Sequence, residues 1–269
     1  MASFFNTLLG RLRPGRRLAV AGAPRIPDGL RLYAVGDIHG EKRCLERLLA
    51  MIAADMDRHR GPDLRCTIVF LGDYVDRGPD SRGVLDLLCD AAAASADGSG
   101  PACRFLMGNH EQALLEFLRD PVAGAPWLSF GGVEALASYG IRASVGVSDP
   151  KRCRALRDEM EARLPAAHRG FLTALEPMAV YGDYAFVHAG VLPGQPLERQ
   201  SADDLLWIRE PFLSYRRRHE KMIVHGHTVV DEPELLDNRI GIDTGAYATG
   251  VLTALVLQGG ERGILQTAP

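Results

Sequence analysis

The pattern of apolar and polar positions changes character twice along the chain. From Leu30 to about residue 120, short apolar runs alternate with longer amphipathic stretches. "LRLYAVGD" and "CTIVFLGD" are continuous apolar runs too short for helices, and they predict strands covered on both faces. Between them, "EKRCLERLLAMIAADM" places Leu45, Leu48, Leu49 and Ile52 at i, i+3, i+4 and i+7, one face of a helix. "SRGVLDLLCDAAAA" predicts a second helix with Val84, Leu87 and Leu88 inward, "CRFLMGNH" a third strand and "EQALLEFLRD" a third helix. Three strand-helix units in succession imply an α/β fold with parallel strands joined by right-handed crossovers.

The rhythm is lost from about Pro121 to Pro177. There "PWLSFGGVEALASYG" sets paired glycines among aromatics, and "KRCRALRDEMEARLP" is a charged helix with a thin apolar stripe of Cys153, Leu156, Met160 and Leu164. This segment is expected to be a helical insertion over one edge of the core. Afterwards the period becomes two. "MAVYGDYAFVHAG" predicts a hairpin around Gly182 and Asp183, and "KMIVHGH", "NRIGIDTG" and "TGVLTALVLQ" predict further strands. The second half is therefore expected to supply a second sheet, mostly hairpin-connected, facing the first.

Composition narrows the class without naming a substrate. With 46% hydrophobic and 24% charged residues, the 269-residue chain has the balance of a soluble globular protein with a real core. A formal net charge of -3 gives no electrostatic reason to expect nucleic acid as a partner. Five cysteines without a Cys-x-x-Cys pair suit a reducing cytoplasm and argue against a disulfide framework or a zinc knuckle. None has an arginine six positions later, so the loop of the cysteine-nucleophile phosphatases is absent. No apolar run reaches the ~20 residues of a membrane span. Residues 1 to 27 carry five arginines and no acid and are expected to be a flexible basic extension, with weak membrane association through Phe4, Phe5, Leu8 and Leu9 as its one recognisable capacity. Residues 28 to 269 are then the folded domain.

The chemistry gathers where predicted strands stop. The motifs are GDIHG (36 to 40), GDYVDRG (72 to 78), GNHE (108 to 111), HAG (188 to 190), HGHT (225 to 228) and DTG (243 to 245). In layered α/β folds the carboxyl ends of strands are where ligands bind. Asp37 and His39, one residue apart in extended chain, point to the same side. With Asp73, Asn109, His188 and His227 they make a set of two carboxylates, one amide oxygen and three imidazoles. Such mixed nitrogen and oxygen donors suit manganese, iron, zinc or cobalt.

Taken in order, GDxHG, GDxxDRG, GNHE, HAG and GHT resemble the phosphoprotein phosphatase branch of the calcineurin-like metallophosphoesterases, and most of all its bacterial and phage serine/threonine phosphatases. The resemblance spans roughly residues 30 to 257 and implies a β-sandwich of two mixed sheets flanked by helices. It implies that Asp37 and His39 hold one divalent cation, that Asp73 bridges, and that Asn109, His188 and His227 hold the other, with manganese the expected metal; His225 is expected to be a neighbour of the site. It implies hydrolysis by direct attack of a metal-bridging hydroxide, with His110 as general acid, Asp76 holding and charging it, and Arg77, Arg209 and Asn109 binding the phosphate. The implied substrate is a phosphorylated protein or peptide. Symmetrical diadenosine tetraphosphatases are the rival, but their pattern tends to GDLVARG and GNHD and lacks the aspartate that pairs with the acid. A metal-free scaffold is disfavoured because all six ligand positions, the acid and its partner are present.

Overall fold

The computed structural model describes residues 22 to 268, so most of the basic extension, including Phe4, Phe5, Leu8 and Leu9, lies outside the described residues. The elements in chain order are β1 (Leu30–Val35), α1 (Lys42–Arg58), β2 (Arg65–Phe70), α2 (Ser81–Asp97), β3 (Ala102–Phe105) and α3 (Asn109–Arg119). A 3-10 helix (Ala125–Phe130) and α4 (Gly132–Ser138), α5 (Pro150–Arg163) and α6 (Ala166–Thr173) follow. The chain continues with β4 (Ala179–Tyr181), β5 (Tyr184–Phe186), α7 (Ala202–Trp207), β6 (Met222–His225), β7 (Glu234–Leu235), β8 (Arg239–Gly241), α8 (Ala246–Thr249), β9 (Thr253–Gln258) and β10 (Glu261–Gln266). Local chemistry sets the starts of the helices: the Asp80 carboxylate accepts from Gly83 N–H at 2.8 Å to begin α2, and Asp149 caps α5 ahead of Pro150 at its first turn.

Two five-stranded mixed sheets stack face to face, in the orders β10-β9-β1-β2-β3 and β4-β5-β6-β8-β7. As the sequence predicts, β1, β2 and β3 run parallel and β4 and β5 form an antiparallel hairpin. Two expectations need correction. The second half does not supply only the second sheet, because β9 and β10 return to the first, with β9 antiparallel to β1. The reason lies in burial: Leu32 and Leu257 sit opposite one another, as do Ala34 and Leu255, and all four are fully buried between the sheets. Nor are β5, β6 and β8 joined by hairpins; they pair in parallel, and the long connections 187 to 221 and 226 to 238 provide the crossovers that parallel strands require.

Each sheet is covered on both faces, which explains the unbroken apolar runs. Between the sheets Leu32, Ala34, Val69 and Leu71 meet Phe186, Val224, Ile240 and Ile242. The alternate residues Tyr33, Val35, Ile68 and Phe70 pack outward against Leu45, Leu48, Val84 and Leu88 of α1 and α2, and against Leu136, Leu156, Met160 and Leu172 of the helical insertion. Beyond the second sheet, Ala185, Val187 and Ile223 pack on Leu205 and Phe212. The packed chain begins before residue 28: Ile26 is buried and donates its N–H to the Gly259 carbonyl at 3.1 Å. Because β1, β2, β3, β5, β6 and β8 all run the same way, their carboxyl ends share one edge of the sandwich.

Candidate metal centre

At that edge the loops leaving the strands deliver Asp37 and His39, Asp73, Asn109, His188, His227 and Asp243, all of them buried. The backbone there is held in unusual shapes. His39, Asp73, Asp76, Arg77 and His227 have φ of 47°, 52°, 73°, 63° and 62° and are the five non-glycine residues with positive φ among the described residues. Such conformations cost on the order of 1–3 kcal/mol each and persist where surrounding bonds impose them. In the GDYVDRG loop the imposing group is Glu111, whose carboxylate accepts N–H bonds from Asp73 at 2.8 Å, Tyr74 at 2.7 Å, Val75 at 3.1 Å and Gly108 at 3.0 Å.

Asp73 stands at the centre with its two oxygens turned to opposite partners. Oδ2 lies 3.3 Å from His39 Nε2, and Oδ1 lies 3.4 Å from His188 Nε2. Both histidines use Nδ1 against a backbone carbonyl, His39 on Val75 at 2.9 Å and His188 on Leu71 at 2.9 Å, which orients each Nε2 into the site. Asn109 Oδ1 is approached by His188 Nε2 at 2.8 Å and by His227 Nδ1 at 2.9 Å. Asp73, His188 and His227 therefore offer donor atoms within 4.8 Å of one another, and His39 and Asp73 belong to a second such group with His110. Asp37 reaches this group from β1, its Oδ2 accepting the His227 N–H at 2.9 Å.

Several observations fit this donor set to two cations. Asp37 Oδ1 and His227 Nε2 are buried without a hydrogen-bond partner, whereas buried polar atoms are ordinarily bonded. A Cβ on Gly226 would lie 2.0 Å from Asp37 Oδ1, so only glycine lets the chain pass there. Three carboxylates crowd together: burial, then Asp243, then Asp73 push the Asp37 carboxyl well above its usual range, and burial also raises Asp243. Burial works against the Asp73 anion too, but His188, His110 and His39 outweigh it and hold Asp73 well below the carboxylate range. Burial pushes His227 down to about 3, so its imidazole is a neutral donor at ordinary pH, and burial also lowers His188.

Beside this set lies a second constellation. His110 Nδ1 and Asp76 Oδ2 are 2.7 Å apart, and Arg77 Nη2 is 3.2 Å from His110 Nε2. Burial opposes a charged His110, but Asp73 and the Asp76 bond prevail and raise its pKa. Asp76 is itself raised by burial, against the pull of His110 and Trp127. Arg209 is exposed, and its Nη2 lies 3.5 Å from the His227 carbonyl, at the rim of the same site. His225 faces away from the metal donors, with Nδ1 on the Gly226 carbonyl at 3.0 Å and Nε2 against Arg239 at 3.2 Å.

The sequence profile of the calcineurin-like phosphoesterases matches residues 30–250, most of the chain. The chain belongs to the calcineurin-like phosphoesterase family. Among curated relatives, the asymmetrical bis(5'-nucleosyl)-tetraphosphatase of Geobacillus thermodenitrificans is 27% identical over 251 residues, covering 82% of this chain and 88% of the relative. The symmetrical bis(5'-nucleosyl)-tetraphosphatase of Acidovorax sp. is 33% identical over 170 residues, covering 60% of this chain but only 44% of its own length. A crystal structure of a protein assigned as a diadenosine tetraphosphatase shares the fold with a TM-score of 0.60 at 23% identity, covering 88% of this chain and 92% of that one.

The structure brings together every residue the sequence reading placed at this calcineurin-like site, with Arg209 at its margin. Sequence reasoning missed Glu111 and Asp243. Each stood inside a motif already noted, GNHE and DTG, so the signal was present. A glutamate in the first turn of a helix has an ordinary use as a cap, so its residue type alone does not mark its role here. Among the described residues no helix is long and apolar enough to cross a membrane.

Proposed function

We propose that this phosphoesterase is a protein serine/threonine phosphatase that uses two divalent metal ions, manganese being the expected one. Asp37, His39 and Asp73 would hold one ion, and Asp73, Asn109, His188 and His227 the other. When bound, the pair supplies positive charge for the phosphoryl oxygens and acidifies water at neutral pH. Arg77 and Arg209 bind the phosphate oxygens, Arg77 through its planar fork, and Asn109 faces the same group. His110 then releases its Nε2 proton to the leaving oxygen while Asp76 keeps the imidazole turned and charged.

The observation that carries the choice of substrate is the 2.7 Å His110–Asp76 bond beside Arg77. A serine or threonine alkoxide is a strong base and must be protonated as it leaves, which calls for a dedicated acid. A nucleotide phosphate leaves already ionised and has no such need. The second reading, a bis(5'-nucleosyl)-tetraphosphatase, is supported by the relative matched over most of both chains.

A direct rate comparison separates the two: the manganese-loaded protein is given a phosphoserine or phosphothreonine peptide and, separately, diadenosine tetraphosphate. We expect the peptide to have the higher kcat/KM. A preference for the dinucleotide by orders of magnitude would replace the first reading with the second, and the products would tell symmetrical from asymmetrical cleavage.

A further inference from the structure

The 3-10 helix Ala125–Phe130 carries Trp127 to the proposed acid pair, and the paired glycines of "PWLSFGG" follow it. Trp127 is 1% exposed, and its indole N–H donates to Asp76 Oδ2 at 2.8 Å. That same oxygen is the partner of His110 Nδ1. The other oxygen, Asp76 Oδ1, is buried with no hydrogen-bond partner, and the backbone of this residue is tied separately, its N–H donating to Ser81 Oγ at 2.9 Å and its carbonyl accepting the Gly78 N–H at 2.7 Å. Two donors from different directions thus converge on one carboxylate oxygen.

The indole is fixed independently of that bond. Its ring packs on Phe117 with centroids 5.0 Å apart. Gly132 also comes so close that a Cβ would lie 2.6 Å from the ring carbons Cδ2 and Cε2. The neighbouring Gly131 accepts the Arg77 N–H on its carbonyl at 3.3 Å. One turn of the insertion therefore touches both the aspartate behind the acid and the backbone of the phosphate-facing arginine.

We propose that Trp127 is a positioning residue for the proton-donating pair: its N–H selects which oxygen of Asp76 faces His110, and so fixes the direction of His110 Nε2. Without that donor the carboxylate rotates about its Cβ–Cγ bond and the imidazole turns with it. A positioning bond of this kind decides how well a proton is delivered and leaves the binding of metal and phosphate untouched. The inference rests on the proposed acid role of His110.

The test is Trp127→Phe in the manganese-loaded protein, which keeps the ring packing and removes the N–H. Turnover is measured for monoesters of increasing leaving-group basicity, from p-nitrophenyl phosphate through phenyl phosphate to an alkyl phosphate. The variant is expected to retain its metal content and to lose less than about threefold on p-nitrophenyl phosphate but roughly tenfold or more on the alkyl ester, a fraction of what a general acid contributes. An equal loss across the series, or none, overturns the proposal. Because simple monoesters are used, the result is separable from the peptide-against-dinucleotide comparison. Should the variant fail to fold, the indole N–H resonances of the two tryptophans decide the matter in the 15N-labelled protein. The Trp127 signal is expected to be shifted downfield in the wild type and to move in Asp76→Asn; an unchanged signal overturns the proposal.

Discussion

Asp73 and Asp76 share one loop and behave as opposites because of what each faces. Three imidazoles hold the first ionised despite its burial, while burial raises the second even though it is bonded to His110 and Trp127. Asp73 is thus held as an anion among the metal donors, while Asp76, whose charge burial opposes, is tied to His110 and serves that imidazole. His110→Asn is therefore expected to keep its metal, measured by elemental analysis, and to lose roughly 10²-fold or more in turnover of an alkyl phosphate. If the variant instead loses metal and keeps its rate per bound ion, His110 is a ligand. Glu111 calls for a different outcome. With four N–H donors on its carboxylate, two on each oxygen, Glu111→Gln turns one of those acceptors into a donor facing N–H groups. A loss of about 1–3 kcal/mol in denaturant unfolding is expected, together with weaker metal binding, and unchanged unfolding would show that the loop holds itself. The candidate ligands were legible in the sequence because metal chemistry needs Asp, His and Asn themselves. Glu111 was legible as part of GNHE but not in its role, and Trp127 not at all, because their partners are a backbone and a remote side chain that only the fold brings near.

Helices and strands were legible wherever one face of a periodic pattern was apolar, and sheet membership was not. A buried strand reads as an apolar run whichever sheet accepts it, so "TALVLQ" gave no sign that β9 returns beside β1. What the return creates is a buried polar knot behind the site. The Asp55 carboxylate of α1 accepts from Arg31 Nε at 2.9 Å and Nη2 at 2.6 Å, from Tyr33 at 2.8 Å and from Arg58 at 3.0 Å, and Arg31 Nη1 continues to Gln258 of β9 at 2.6 Å. Burial opposes the Asp55 charge, but Arg31, Tyr33 and Arg58 outweigh it and lower its pKa below the ordinary 3.8. A carboxylate lowered on folding adds stability that is fully present above the unfolded value and is lost as pH falls through the folded one. Asp55→Asn is thus expected to cost about 3–5 kcal/mol at pH 7, since Arg31 is left buried without its anion. The gap between wild type and variant, measured by urea unfolding, should shrink as the pH is taken below 3.8. A gap that is constant with pH would show that packing, not charge, ties α1 to the sheet.

At the scale of the molecule, the sandwich aligns six strand ends from both halves of the chain, and the site exists only when the two sheets are stacked. Asp37, Asp73 and Asp243 then face one another out of water, where like charges repel: besides burial, Asp243 and Asp73 raise Asp37, and Asp73 raises Asp243. The same stacking that builds the metal centre is therefore opposed by it until cations enter. Metal binding and global stability must be linked, because the unfolded chain does not hold these donors together. Chelation and dialysis are expected to abolish hydrolysis of p-nitrophenyl phosphate and also to lower Tm. Returning manganese at about a hundred times its Kd should restore roughly 2.7 kcal/mol, which for a chain of this size corresponds to a rise of roughly 5–10 °C. Calorimetric melts across a manganese titration measure this, and the rise should saturate over the same concentrations that restore activity. A stripped protein that melts at the same temperature and turns over at the same rate would mean that neither the stability nor the chemistry of this edge depends on the ions its carboxylates are arranged to hold.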